Sequence, residues 1–296
     1  MYSLNRSRLI CTVVLLFVAT STWLGARAAD RVTILGDAFT RRADLAPTWG
    51  FSALVEFRGK RILFDAGGEE APFISNAKQL HVDLTKLDMV VISHRHGDHT
   101  AGLRYVLSLN PGVPVYVPAD VVFGGDHVLA LLSHPDPSLP VDMRYFGGKP
   151  LHPPIDSPWA GANLVYVTAP MAIAPGVRLL TTTSEKKGTL EMPEVSMVLD
   201  TPTGEVVIVG CSHPGILKIL ASAAAGGGHV RELFGGVHEL NADDAEVTAV
   251  VDSIVNDYKV DVVALGHCTG EVTFGMLKRR LGERNVYAGL GETIPL

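Results

Sequence analysis

Ser93-His94-Arg95-His96-Gly97-Asp98-His99-Thr100 follows the apolar run Met89-Val90-Val91-Ile92. A short apolar run of this kind reads as a buried strand. The residues from Thr100 to Leu107 read as a helix. The histidine stretch therefore occupies a strand-to-helix loop at the carboxyl end of a strand, where open α/β sheets place their ligands. Side chains two apart on an extended chain point to the same side. His94 and His96 can thus grip one metal ion, while Asp98 and His99, at the turn into the helix, face a neighbouring point. Imidazole and carboxylate suit Zn²⁺ and related divalent ions. A loop of solvated histidines is the plain alternative, but three histidines and an aspartate within six residues seldom assemble without a metal to hold.

Three more histidines answer this loop. His213, His238 and His267 each stand just after an apolar run and beside glycine. Strand ends on one edge of a sheet converge, so distant segments can supply ligands to a common point. Asp65, closing the run Arg61-Ile-Leu-Phe, either orients a ligand from behind or caps a turn. His127, His134 and His152 lie in a proline-containing segment and read as solvated.

Length and composition agree with a large core. The chain has 296 residues, 47 % of them hydrophobic, and a formal net charge of −6. No basic surplus invites nucleic acid. The first residues read as a leader: Arg6 and Arg8 precede an apolar run from Leu9 to Ala19, and Ala26-Arg27-Ala28 offers a cleavage site. That run is short for a membrane span, so residues 1–28 are expected to be a signal peptide rather than an uncleaved anchor. Residues 29–296 are then a single domain in the periplasm or outside the cell, with no stable membrane association. Cys211 and Cys268 remain in that mature chain.

Periodicity predicts an edge strand at Val32–Leu35, a hairpin of residues 51–57 and 61–65 about Gly59-Lys60, and a helix at 71–80. Strands follow at 113–117, 164–167 and 177–182, and a second hairpin joins 195–200 to 205–209 about Thr203-Gly204. Helices are expected at 216–224, 243–258 and 271–281, with strands at 261–265 and 285–288. No linker or internal repeat divides the chain.

His94-x-His96-x-Asp98-His99 resembles the signature of the metallo-β-lactamase-fold superfamily. The resemblance implies an α/β fold, a four-layer αββα sandwich with one or two metal ions between its halves. Gly210-Cys-Ser-His-Pro-Gly-Ile216, Gly235-Gly-Val-His238 and His267-Cys-Thr-Gly270, in that order, are similar to one branch, named after the dihydropterin-methyl-ribofuranosylaminobenzene-phosphate synthase. By this resemblance His94 and His96 are first-site ligands, Asp98, His99 and His267 second-site ligands, and His213 a further ligand. The chain departs from the branch at Arg95 and Gly97, where Gly and Tyr are usual, and at Glu239, where an apolar residue is usual. Other members carry a bridging Asp where this chain has Cys211. No His lies between His152 and His213, so either His213 or Glu194 completes the first site.

The expected activity is that of an exported metal-dependent hydrolase acting on a small molecule through a metal-activated water. Zn²⁺ is the expected ion, with Mn or Fe as alternatives. Asp98 orients the water and His238 donates to a developing oxyanion or leaving group. The alternatives are a pterin-precursor synthase and a non-catalytic metal- or ligand-binding protein. For the cysteines, three readings stand: a disulfide, a Cys211 thiolate ligand, or packing beneath the loops. Two free thiols are expected, with Cys211→Ser keeping its metal.

Overall fold

The computed structural model describes residues 29–120, 123, 136–144, 147, 158–159, 161–184 and 192–296. The leader at 1–28 and His127, His134 and His152 lie outside the described residues. The strands of the first half are β1 (Arg31–Gly36), β2 (Ser52–Phe57), β3 (Lys60–Phe64), β4 (Met89–Val91), β5 (Pro114–Pro118) and β6 (Asn163–Val167). The second half supplies β7 (Met171–Ala174), β8 (Val177–Ser184), β9 (Met192–Thr201), β10 (Gly204–Ile208), β11 (Val230–Gly235) and β12 (Val262–Leu265), and β13 (Thr293–Pro295) closes the chain. They form a seven-stranded sheet in the order β13-β1-β2-β3-β4-β5-β6 and a six-stranded sheet in the order β12-β11-β10-β9-β8-β7.

Strand alternation makes these sheets stack. In β2, Ala53, Val55 and Phe57 face the partner sheet while Leu54 faces outward; in β9, Val195, Met197 and Leu199 face inward and Val198 outward. Both faces are apolar, so each sheet is covered twice. Helices α1 (Glu70–Gln79) and α3 (Leu103–Leu109) pack Phe73, Ala77, Leu103 and Val106 on the outer face of the first sheet. On the second sheet, α4 (Ile216–Ala224), α5 (Asp244–Asp252) and α6 (Glu271–Leu281) do the same with Ile219, Val251 and Leu277. The result is the four-layer αββα sandwich. The short helix α2 (Gly97–Thr100) carries Asp98 and His99. Among the described residues no helix is long and apolar enough to cross a membrane.

Three elements differ from the sequence-based expectation. β1 is interior, not an edge: β13 pairs antiparallel along its outer side. Pro295 is tolerated in β13 because that strand is the true edge. Residues 285–288 make only one bridge, Asn285 to Val263. Beyond it the chain turns back to β1, where Leu290 N donates to Phe39 O at 2.7 Å and Gly291 N to Ile34 O at 2.9 Å. The helix after Asp243 is α-helical only to Asp252, then widens into a π-turn over Ser253–Asp257.

The sheet directions decide where the site lies. β3, β4 and β5 are parallel neighbours, as are β10, β11 and β12. Their carboxyl ends release Asp65, the 93–99 loop, Cys211, His238 and His267 along one edge of the sandwich.

Candidate metal centre

Four residues at these strand ends hold a left-handed backbone: Asp65 (φ 57°), Ser212 (φ 64°), His238 (φ 58°) and His267 (φ 48°). Such conformations cost energy for non-glycine residues and persist where the surroundings enforce them. Here they turn side chains from separate strands toward one point.

Two of the three donor groups that result among the described residues carry ligands named from sequence. Asp98, His99, Cys211 and His267 bring their ligand atoms within 4.8 Å of one another, as do His94, Cys211 and His213. Cys211 Sγ belongs to both. It lies 3.1 Å from His99 Nε2 and 3.2 Å from His267 Nε2, and those two nitrogens are 3.2 Å apart. Asp98 Oδ2 is 3.4 Å from His267 Nε2 and 3.7 Å from His99 Nε2. On the other side, His94 Nε2 is 3.1 Å from His96 Nδ1, and the His213 ring stands 4.8 Å from His94 and 4.7 Å from His96. All six histidine and aspartate ligands named from sequence meet in this cluster. His238 is exposed beside it, its ring 4.2 Å from that of His213.

Buried carboxylates hold the donors in place. Asp65 accepts from Ser93 N and Ser93 Oγ at 2.7 Å each, and from His99 Nδ1–H at 2.7 Å. The serine proton goes to Asp65, so His94 Nδ1–H donates to Ser93 Oγ at 2.9 Å. Both imidazoles are thereby fixed with Nε2 lone pairs facing the centre, the usual support behind a metal-bound histidine. Asp65 thus orients His99 directly and His94 through Ser93. Asp37, unremarked in the sequence, accepts from His267 N at 2.9 Å and anchors that loop. Its only local signal is an acid directly after an apolar strand.

Glu194 differs from the sequence alternative that made it a ligand. Its Oε1 accepts Cys211 N at 3.1 Å and Ser212 N at 2.7 Å, and its Oε2 accepts His213 N at 2.8 Å. Both oxygens are spent on the loop that carries Cys211 and His213. Burial pushes its carboxyl up to about 7. A carboxyl raised on folding adds most stability below its ordinary pKa and loses that contribution as pH rises through the folded value. Glu194→Gln is therefore expected to flatten the fall in melting temperature of chelator-treated protein between about pH 4.5 and 7. It should also lower that temperature throughout, because an amide NH₂ cannot accept His213 N–H. Melting curves that keep the wild-type pH slope would count against this assignment.

The donor chemistry fits a divalent cation. Burial and the neighbouring histidines hold His94 well below its ordinary pKa, and burial and His238 bring His213 down to about 3. Both are neutral and have lone pairs to give. For Asp98 burial works against the charge, but the His267 hydrogen bond and the His99 charge outweigh it and keep the carboxylate ionised. Burial likewise opposes charge on His99, yet Asp65 and Asp98 push its pKa upward. Buried His213 Nε2 and His267 Nδ1 have no hydrogen-bond partner, and unpaired buried nitrogens are costly. His99 Nε2, His267 Nε2 and the Cys211 sulfur gather within 3.2 Å of one another, and a cation among them would take a lone pair from each.

Beside the centre lies a pocket of about 540 Å³, bordered by Trp49, His213, Lys218, His238, Glu239 and Leu240. Trp49 is half exposed and its ring lies 5.0 Å from that of His267. The pocket meets the cluster at His213.

The profile described as "Metallo-beta-lactamase superfamily" matches residues 47–267, and the chain belongs to that family. Among curated relatives, it is 26 % identical over 259 residues to the 7,8-dihydropterin-6-methyl-4-(beta-D-ribofuranosyl)-aminobenzene-5'-phosphate synthase of Methanocaldococcus jannaschii, covering 76 % of this chain and 83 % of that one. Among solved structures, Tm1679, described as a metal-dependent hydrolase of the beta-lactamase superfamily, superposes with a TM-score of 0.67 at 26 % identity, covering 90 % of this chain and 99 % of that one. The short form of human tRNase Z shares the fold at a TM-score of 0.51 and 15 % identity, over 90 % of this chain and all of that one (100 %).

Proposed function

We propose that this protein is an exported metal-dependent hydrolase of a small molecule. The reading is carried by the two donor groups that share Cys211 Sγ at the mouth of a pocket. His94, His96 and His213 would hold one ion with Cys211; Asp98, His99 and His267 would hold the other with the same sulfur. A nitrogen- and sulfur-rich set favours Zn²⁺ over harder ions. When bound, such ions supply an acidified water and an electrophilic pole for a carbonyl or phosphoryl oxygen. Asp98 orients that water through its free lone pairs and accepts its proton. His238, exposed at the pocket, donates to the developing oxyanion or leaving group.

The shared position of its sulfur makes Cys211 a ligand in this reading, which reverses the expectation that serine there would keep the metal. Cys211→Ser and His213→Ala should each lower metal stoichiometry or affinity by about 10–100-fold or more. His238→Ala should keep its metal and lose turnover. Metal analysis of the three variants decides: full metal in Cys211→Ser, or loss in His238→Ala, contradicts the assignment.

Turnover on ester, lactone, phosphodiester and β-lactam panels, with and without chelator, tests the hydrolase reading. Metal bound without turnover on any panel favours the non-catalytic alternative. A second enzyme reading, the activity named for the Methanocaldococcus jannaschii relative, rests on 26 % identity over most of both chains. The Arg-flanked apolar leader favours the exported reading. Mass spectrometry of the exported protein should find a new N-terminus near Ala29 or Asp30; an intact Met1 in a membrane fraction contradicts export.

A further inference from the structure

Cys211 follows β10 and Cys268 follows β12, and β11 runs between those two strands. A side chain just after β11 would press on the Cys268 sulfur. Gly236 stands there instead: a Cβ on it would come within 2.6 Å of Cys268 Sγ and 3.0 Å of Gly210 O. The gap lets the two cysteines meet across the middle strand. Their sulfurs, with a ring nitrogen of His238, lie within 4.8 Å of one another, and the Cys268 thiol donates to Cys211 O at 3.6 Å. Neither cysteine is in a disulfide, and both are buried. Cys268 borders the pocket, so it is the sulfur that an incoming reagent meets. The reaction proposed above uses Cys211 and gives Cys268 no task.

We propose that Cys211 and Cys268 form a redox lock on the metal centre. A small disulfide oxidant of the glutathione type joins them, and the shared sulfur is withdrawn from both donor groups. The steps balance. The Cys268 thiolate attacks one sulfur of the oxidant, forming a mixed disulfide and releasing one thiol. The Cys211 thiolate then attacks the Cys268 sulfur and releases the second thiol. Two protein thiols are oxidised, one oxidant disulfide is reduced, and their two protons leave on the released thiols. The two sulfurs lie within 4.8 Å of one another, and Gly236 has no side chain to displace. The linkage rests on this geometry alone; the release of metal rests also on the reading of Cys211 as a ligand.

Reduced, zinc-loaded protein and chelator-treated protein are each incubated with glutathione disulfide, then analysed by tryptic peptide map and metal content. The expected result is a linked peptide containing Cys211 and Cys268, after which added zinc no longer binds until a reductant restores the thiols. Zinc at about a hundred times its dissociation constant should slow the linkage about a hundredfold, because only the free thiolate reacts. Cys268→Ser, given the same treatment, should rebind zinc without reductant; Cys268→Ala serves if serine impairs folding, and the wild-type map stands without either. Free thiols or separate glutathione adducts on the two peptides overturn the lock. A linked peptide with undiminished zinc binding also overturns it, and with it the ligand role of Cys211. Zinc binding by the reduced protein tests the metal centre separately.

Discussion

Asp98→Asn is expected to lower kcat/KM by about 10²–10⁴-fold while the protein stays folded. The substitution preserves volume and removes charge. Asp98 Oδ2 stands 3.4 Å from His267 Nε2 and 3.7 Å from His99 Nε2, so the carboxylate completes one donor group. An amide there presents either a weaker oxygen or an N–H that repels a cation and cannot take a proton from water. The fold does not depend on this side chain. The main chain holds the loop: Phe51 N donates to Asp98 O at 3.2 Å, and Ala66 N to His99 O at 2.8 Å. Gly50 packs so tightly there that a Cβ would meet Asp98 O at 2.3 Å. Steady-state kinetics on the substrate found by panel screening, with a melting curve for the fold, decide the matter. Wild-type turnover in Asp98→Asn would remove the carboxylate from the mechanism.

Removing the metal is expected to lower the melting temperature by about 8–16 °C. An ion at about a thousand times its dissociation constant stabilises by about 4 kcal/mol, and for a chain of this size each kcal/mol moves the midpoint by about 2–4 °C. The buried His94, His99 and His267 would be left facing one another and Cys211 with no cation between them. The loss should also depend on pH. Burial opposes charge on His99, but Asp65 and Asp98 push its pKa upward, so protons compete with a metal for its Nε2 as pH falls. The chelator-sensitive part of the melting temperature should therefore shrink as pH falls from about 8 to about 6. His94 and His213, already pushed down, add no such competition in that range. Calorimetric scans with chelator and after metal is restored check this. A midpoint unmoved by chelator at pH 8 would mean that the cluster holds no metal.

Much of this centre was legible before the tertiary structure. His94, His96, Asp98 and His99 lie within a few residues, and their spacing on a strand-to-helix loop follows from local backbone geometry alone. His213 and His267 were marked by position, each after an apolar run and beside glycine. Strand periods likewise announced both sheets, because alternation is written in neighbouring residues. What local patterns do not encode is which strand lies beside which. β1 became interior only because the last residues, Thr293–Pro295, returned to pair with it. Asp37 and Glu194 became supports because the end of β1 and the start of β9 lie beside the His267 and Cys211 loops. The sequence placed Cys211 next to a ligand; only the packing of β10 against β11 and β12, opposite the β4 loop, put its sulfur between two donor groups. That position is a product of strand order, and strand order is settled by burying apolar faces across the whole domain.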